Sequence, residues 1–270
     1  MYKITNEKSF SINEIDGVPK YVIHRFKPKN FEYALVIPVL NENERLASQL
    51  RRIQSLSPDV DVIIADGGSD DGSTKPEHLQ SLGVSSLLVK TGKGKLSAQL
   101  RMAFHYCLKA GYKGVITMDG NNKDGELGII KILDALILGS DFVQGSRFIE
   151  GGHAENTPKS RYFAIKYLHA PIVSVAARFR FSDTTNGFRG HSSGMLKDPK
   201  LSIFREIFDT YELLAYLPIQ ASRKGFKVRE VPVSRVYPSN DEIPTKIKGI
   251  KGHLSVLAIL VKAVLNKYAP

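Results

Sequence analysis

Val60-Asp61-Val62-Ile63-Ile64-Ala65 runs without a break into Asp66-Gly67-Gly68-Ser69-Asp70-Asp71-Gly72-Ser73. The first half is apolar and β-branched, as expected of a strand buried in a parallel sheet. The second half has the composition of a turn. The pattern recurs where Gly114-Val115-Ile116-Thr117-Met118 runs into Asp119-Gly120-Asn121-Asn122-Lys123-Asp124-Gly125. In open α/β sheets, ligands bind just beyond the carboxyl ends of the strands. Carboxylates at those ends, beside glycines that admit a ligand to the backbone, suggest a nucleotide or metal–diphosphate site. Both turns could instead simply cap the next helix, a role that suits Asp and Ser. Three carboxylates within six residues of the first turn exceed that need. In the second turn Asp119, Asn121 and Asp124 offer oxygen ligands for a hard divalent cation. Lys123 would repel such an ion, or itself neutralise diphosphate charge.

Working outward, Tyr33-Ala34-Leu35-Val36-Ile37-Pro38-Val39-Leu40 is another apolar strand, ending in Asn41-Glu42-Asn43-Glu44. Asn41 or Asn43 is expected to cap a helix whose apolar face is Leu46, Leu50, Ile53 and Leu56. Further helices are expected near Pro76 to Leu82, over 96–109, and from Ile129 to Leu138, with strands at Ser86 to Lys90 and Asp141 to Gly145. Strand–helix alternation of this kind indicates an α/β fold with a mainly parallel sheet flanked by helices. Residues 1–32 read as an N-terminal extension with a short strand at Tyr21-Val22-Ile23, 33–240 as one domain, and 241–270 as a basic, amphipathic C-terminal helical segment. The Gly-rich, polar stretch Glu150 to Pro158 is expected to be mobile.

The chain has 270 residues, 42% apolar and 24% charged, an ordinary globular composition. Its net charge of +11 is uneven: 18 Lys and Arg face 16 Asp and Glu in residues 1–135, but 20 face 11 in residues 136–270. A basic half suggests a phosphate-bearing partner, such as an anionic membrane, a lipid phosphate or a nucleic acid, or only a solubilising surface. The single cysteine, Cys107, lies on the apolar face of the helix at 96–109 and reads as a core thiol in a reducing compartment. The polar N-terminus does not read as a signal peptide. The longest apolar run, Leu254 to Leu265, is too short to span a bilayer and contains Lys262. Val256 to Leu265, apolar on one face with Lys251, Lys262 and Lys267 nearby, could lie on a membrane surface, or pack against the sheet or another subunit.

Several signatures are absent. Gly92-Lys93-Gly94-Lys95 lacks the spacing of a Walker A loop, no three-glycine dinucleotide fingerprint follows the first strand, and no His pair has zinc spacing. Gly67-Gly68-Ser69-Asp70-Asp71 is not a nucleophile elbow. Arg147, Arg161 and Arg189 lie near Gly-rich turns, and guanidinium groups bind phosphate through two parallel hydrogen bonds. Any one of them could instead serve a surface ion pair.

In order and spacing these motifs resemble family 2 glycosyltransferases of the GT-A fold, and most closely the dolichol-phosphate mannosyltransferase (polyprenyl-phosphate glycosyltransferase) branch. The resemblance runs from Ala34 to Tyr237. Ile37-Pro38-Val39-Leu40-Asn41-Glu42 is similar to the family's opening strand, and Asp66 to Thr74 to its nucleotide-binding turn. Asp119-Gly120-Asn121 falls at the Asp-x-Asp metal motif. Gly145-Ser146-Arg147-Phe148 with Gly151-Gly152, then Thr184 to Arg189, is similar to the polyprenyl-phosphate branch. The resemblance implies a GT-A, Rossmann-like fold. It implies a nucleotide-sugar site of Pro38, Glu42, Asp66, Gly68, Ser69, Lys95, Asp119, Gly120 and Lys123. Asp119 and Asn121 would hold Mg²⁺ or Mn²⁺, and Ser146, Arg147, Arg161 and Arg189 the acceptor phosphate. Asp119, Arg147 and Arg161 would be the catalytic set. Two positions depart from the family pattern: Asn121 replaces Asp, and Lys123 stands where Gln is common. Both lower the negative charge at the metal, and Lys123 is expected to replace part of the cation. The absence of tryptophan argues against processive, cellulose-synthase-like relatives.

The expected reaction is inverting transfer of a sugar from a UDP- or GDP-type donor to a polyprenyl phosphate. A phosphate monoester has a second pKa of about 6, so it attacks without a protein base. Transfer to a sugar hydroxyl in cell-surface polysaccharide synthesis is the alternative; it needs a base, for which Asp183 is the first candidate. A non-catalytic nucleotide- or nucleic-acid-binding protein is the third reading, although no basic motif interleaved with aromatics supports nucleic acid. The expected location is cytoplasmic, peripheral on an anionic membrane face.

Overall fold

A computed structural model describes residues 9–12, 17–239 and 249–270. The chain forms two compact units, Met1–Asn122 with Ile203–Thr210, and Lys123–Ser202 with Tyr211–Pro270. The first boundary falls inside the second acidic turn.

The first unit carries strands β1 (Ser9–Ile12), β2 (Tyr21–Arg25), β3 (Tyr33–Val39), β4 (Asp61–Asp66), β5 (Ser86–Lys90) and β6 (Gly114–Thr117). They lie in the order β1-β2-β5-β4-β3-β6. The four strands β5, β4, β3 and β6 are parallel, while β2 is antiparallel to β5 and to β1. The stretch expected as an N-terminal extension therefore supplies two strands of the sheet. Helices α1 (Glu44–Leu56), α2 (Pro76–Ser81) and α3 (Leu96–Lys109) connect the parallel strands. Ala34, Leu35, Val36, Ile37, Ile63, Ile64 and Ala65 are fully buried, as strands covered on both faces require. Cys107 is buried on α3; burial, then the charge of Asp61, push its thiol pKa far up, which suits a core role.

Pro38 sits in a strand flanked on both sides, where a missing N–H normally costs a ladder bond. Here it does not. The Val36 carbonyl accepts from Met118 N on the β6 side, and alternate residues face the same way, so the Pro38 nitrogen also faces that side. The paired part of β6 reaches only the Val36–Thr117 pair. Pro38 therefore lies past the last rung.

The second unit carries α4 (Leu127–Ile137), β7 (Phe142–Ser146), β8 (His153–Glu155), α5 (Lys159–Ala164), a π-helical turn (Ile165–His169) and α6 (Ala170–Ala177). It continues with β9 (Arg189–Ser192), α7 (Ser193–Lys197), α8 (Glu212–Arg223), β10 (Val228–Pro232), β11 (Ser234–Val236) and α9 (Gly249–Val264). β7 pairs with β9 antiparallel and with β10 parallel. The expected mobile stretch instead holds β8, paired with β11 in parallel. His153 N donates to Val233 O at 3.0 Å and Tyr237 N to Glu155 O at 3.1 Å, so partners distant in sequence pin it. Of the expected C-terminal segment, residues 241–248 lie outside the described residues.

Candidate nucleotide and phosphate site

The first acidic turn is ordered by its own side chains. Asp66 is buried, and its Oδ1 accepts from Ser69 N at 2.9 Å, Ser69 Oγ at 2.6 Å and Gly68 N at 3.2 Å. Thr74 Oγ1 donates to its other oxygen at 3.3 Å. Asn43, the residue before α1, makes no side-chain cap bond there, and Asn41 Oδ1 faces the acidic turn, whereas the sequence suggested either as the cap. They bind the acidic turn instead: Asp70 N donates to Asn41 Oδ1 at 2.9 Å and Asn43 N to Asp71 Oδ2 at 2.8 Å. Burial alone would raise the Asp71 pKa, but the hydrogen bonds from Ser73 and Asn43 outweigh it and hold it low. Gln99 clasps the strand ends, donating to Val39 O at 2.9 Å and Ala65 O at 3.0 Å.

The second turn is clasped from α1. Gln49, fully buried, donates to Asp119 O at 3.0 Å and accepts from Asn122 N at 2.9 Å. Gly120 has Val39, Ile37 and Pro38 so close that a Cβ there would lie 3.1 Å from Val39 Cγ2. Asp119 is half-buried, with Asn121 Nδ2 at 3.4 Å from its Oδ2. Among the described residues no group of three His, Cys, Asp or Glu could hold a metal. The donors nevertheless fit an ion shared with a substrate: Mg²⁺ is usually held by one or two carboxylates plus phosphate oxygens. Asn122 Oδ1 is buried without a hydrogen-bond partner, adding an acceptor oxygen to the same turn. Pro38 and Glu42 belong to this unit too; Glu42 is buried and bound to Arg45 at 3.1 Å.

Lys95 is exposed at the start of α3. Lys95 N donates to Asp209 O at 3.0 Å and Ser97 N to Thr210 O at 2.8 Å. Backbone carbonyls thus occupy that helix N-terminus, and Lys95 could meet a phosphate only through its side chain. Lys90 lies nearby; burial lowers its pKa more than Asp209 and Asp66 raise it.

The second unit holds the arginines. Arg147 follows Ser146 at the end of β7 and is buried against Asp183, with Nε 2.6 Å from Oδ2 and Nη2 3.0 Å from Oδ1. Burial disfavours the charged guanidinium, but Asp183 raises the Arg147 pKa above its usual value. Glu230 on β10 fixes the loop that carries Asp183, accepting from Ser182 N at 3.0 Å, Ser182 Oγ at 2.8 Å and Asp183 N at 3.3 Å. Burial raises the Glu230 pKa despite those bonds. Ser146 Oγ is internal to the same network, 2.5 Å from Ser182 Oγ. Arg161 on α5 donates to Tyr237 Oη at 3.1 Å. Arg189 is buried, donating to the carbonyls of Asn186 at 3.1 Å, Leu214 at 2.7 Å and Thr184 at 2.9 Å. It holds its loop in place rather than presenting a guanidinium outward. Asp124, offered by its position as a cation ligand, is fully buried on Arg235 at 2.7 Å and 2.8 Å. Lys123 is buried with its Nζ 4.9 Å from the Tyr237 ring centroid.

The structure thus divides the expected residues. Pro38, Glu42, Asp66, Gly68, Ser69, Lys95, Asp119, Gly120 and Asn121 fall in the first unit, and Lys123, Ser146, Arg147, Arg161 and Arg189 in the second. Sequence reasoning missed Gln49, Gln99, Glu230 and Tyr237. The two glutamines left a signal, as polar residues on apolar helix faces; Glu230 and Tyr237 left none.

No family model matches the chain. It is 27% identical over 207 residues to the polyprenol monophosphomannose synthase of Mycolicibacterium smegmatis, covering 74% of this chain and 76% of that protein. It is 26% identical over 203 residues to the undecaprenyl-phosphate mannosyltransferase of Micrococcus luteus, covering 74% and 82%. Glucosyl-3-phosphoglycerate synthase from Mycobacterium tuberculosis, in complex with Mn²⁺, UDP-glucose and phosphoglyceric acid, matches with a TM-score of 0.61 and 15% identity, covering 86% of this chain and 79% of that one. The same enzyme with Mg²⁺ and UDP matches at 0.58 and 16%, covering 88% and 79%.

Proposed function

We propose that this chain, a glycosyltransferase of the GT-A fold, moves a sugar from a UDP- or GDP-type donor to a polyprenyl phosphate, inverting the anomeric carbon. The observation that carries the reading is a pair of guanidinium groups after β7, Arg147 set by Asp183 and Arg161 resting on Tyr237, in a chain whose relatives act on polyprenyl phosphates. Pro38, Glu42 and the turn of Asp66, Gly68 and Ser69 would hold the nucleoside, with Lys95 and Gly120 beside the diphosphate. Asp119 and Asn121 would hold Mg²⁺ or Mn²⁺, which when bound neutralises charge developing on the leaving diphosphate. Lys123 adds a fixed positive charge to the same turn.

Arg147 and Arg161 would orient the acceptor phosphate. One of its anionic oxygens forms the new bond to the anomeric carbon as the bond to the donor diphosphate breaks, and the electron pair leaves with the diphosphate. No proton moves, so no protein base is needed. Positioning and charge neutralisation carry the rate. Transfer to a sugar hydroxyl has less support, because both oxygens of Asp183, its candidate base, are taken by Arg147.

The second unit would rest on an anionic membrane at the cytoplasmic face. Phe163, Tyr167 and Leu168 are 59%, 62% and 52% exposed on the helix that also carries Lys159 and Lys166, and α9 exposes Leu254, Leu257 and Val261. Exposed apolar side chains among lysines suit an interfacial helix. Among the described residues no helix is long and apolar enough to cross a membrane.

The test is a panel of nucleotide sugars incubated with a short polyprenyl phosphate, with and without EDTA. One glycosyl-phosphate lipid product is expected. Transfer only to sugar hydroxyls, or to nothing, overturns the reading.

A further inference from the structure

We propose that Tyr237 is a positioning residue that fixes Arg161 for the acceptor phosphate, an inference that rests on the transfer reaction above. Tyr237 follows β11 and is 3% exposed. Its backbone is pinned on both sides: its N–H donates to Glu155 O at 3.1 Å, and Asn156 Nδ2 donates to its carbonyl at 3.2 Å. The ring therefore has a fixed place.

Three cations gather on that ring. Lys123 Nζ lies 4.9 Å from the centroid, Arg161 Cζ 5.7 Å and Arg235 Cζ 5.8 Å. Such distances are within cation–π range. The phenol oxygen also accepts from Arg161 Nη1 at 3.1 Å. Burial pushes the phenol pKa up, but Arg235, Arg161 and Arg147 together bring it below the ordinary tyrosine value, so the ring sits in a strongly positive field.

The arginines differ in what else they touch. Arg147 is matched by Asp183 and Arg235 by Asp124, both carboxylates fully buried. Arg161 has no carboxylate partner among the described residues; its side chain rests on the ring and oxygen of Tyr237. A neutral π face and a phenol orient a guanidinium without cancelling its charge. That suits a group that must meet an incoming phosphate dianion. An arginine left on its own side-chain rotamers would lose that freedom on binding, at a cost in affinity.

Two variants separate the contributions. Tyr237→Phe removes the hydrogen bond and keeps the ring; Tyr237→Leu removes both. The acceptor KM is expected to rise about tenfold in the first and further in the second, with kcat and donor KM near wild type in Tyr237→Phe, which keeps the ring under Lys123. In an Arg161→Ala background, Tyr237→Phe is expected to change the acceptor KM no further, because the two residues act as one. A merely structural tyrosine would give effects that add, and would shift donor and acceptor constants alike. Calorimetric binding of a short prenyl phosphate, without donor, gives a readout free of turnover. An acceptor KM unchanged in Tyr237→Phe, or additive effects with Arg161→Ala, overturns the proposal. Wild-type binding of prenyl phosphate that Tyr237→Phe weakens, with no sugar transfer at all, supports the positioning role and sinks the transfer reading. No wild-type binding of prenyl phosphate sinks both.

Discussion

Gln49 and Gln99 decide more of the first unit than any carboxylate does. Each is buried on a helix: Gln49 clasps the second acidic turn by Asp119 O and Asn122 N, and Gln99 the carbonyls of Val39 and Ala65 at the strand ends. Their positions, between Leu46 and Leu50 and between Leu96 and Leu100, were legible as polar breaks in apolar faces. What they hold was not, because their partners lie 34 to 73 residues away. Lys123 is the opposite case, a departure visible in the sequence whose consequence belongs to chemistry. If it replaces part of the cation's charge, Lys123→Gln is expected to raise the Mn²⁺ concentration giving half-maximal transfer several-fold and to sharpen inhibition by EDTA. Titrating the metal against activity in both proteins checks this; curves that superimpose would refute it.

Elements set by local pattern came through plainly. The alternation from β3 to β7 matches the expected strands and helices, because buried parallel strands and amphipathic helices write their periods into the chain. The three-residue strands β8 and β11 left no period, and glycine with polar residues made β8 read as loose chain. Gly152, which immediately precedes β8, is required by close packing. A Cβ there would lie 2.8 Å from the carbonyl oxygens of both Ser146 and Arg147. Backbone cannot retreat as a flexible side chain can. Gly152→Ala is therefore expected to cost about 1–3 kcal/mol of stability, as overpacking does. It should also displace Arg147, raising the acceptor KM at least tenfold while thermal stabilisation by UDP or GDP persists. Denaturant titration and the two KM values test both parts; an unchanged acceptor KM would detach β8 from the phosphate site.

The molecule as a whole divides its charge as it divides its residues. The basic second half, with its exposed aromatic residues, predicts sedimentation with vesicles containing anionic lipid at low salt and release as salt rises. Vesicles of neutral lipid should retain little protein, and equal retention on both would exclude the electrostatic part. Acid stability follows from two histidines in the second unit, His191 buried and His169 half-buried. Burial, then the charge of Arg189, lower the pKa of His169 to about 4 and of His191 to about 3. Unfolded, each takes up a proton near pH 6.5. The unfolded state thus binds more protons below that pH, so stability falls as pH drops from about 6.5 towards the folded values. At pH 5 the loss is about 2 kcal/mol for each histidine relative to neutral pH. Thermal melts at pH 7 and pH 5 should show it, and His169→Gln should flatten the slope; a constant Tm would refute it. The chain passes between its units at Asn122–Lys123, Ser202–Ile203 and Thr210–Tyr211. If the donor and acceptor residues divide as proposed, evolution can retune the acceptor with Lys123 as the one donor residue in reach, and a chimaera exchanging lipid preference must keep residues 203–210 with residues 1–122.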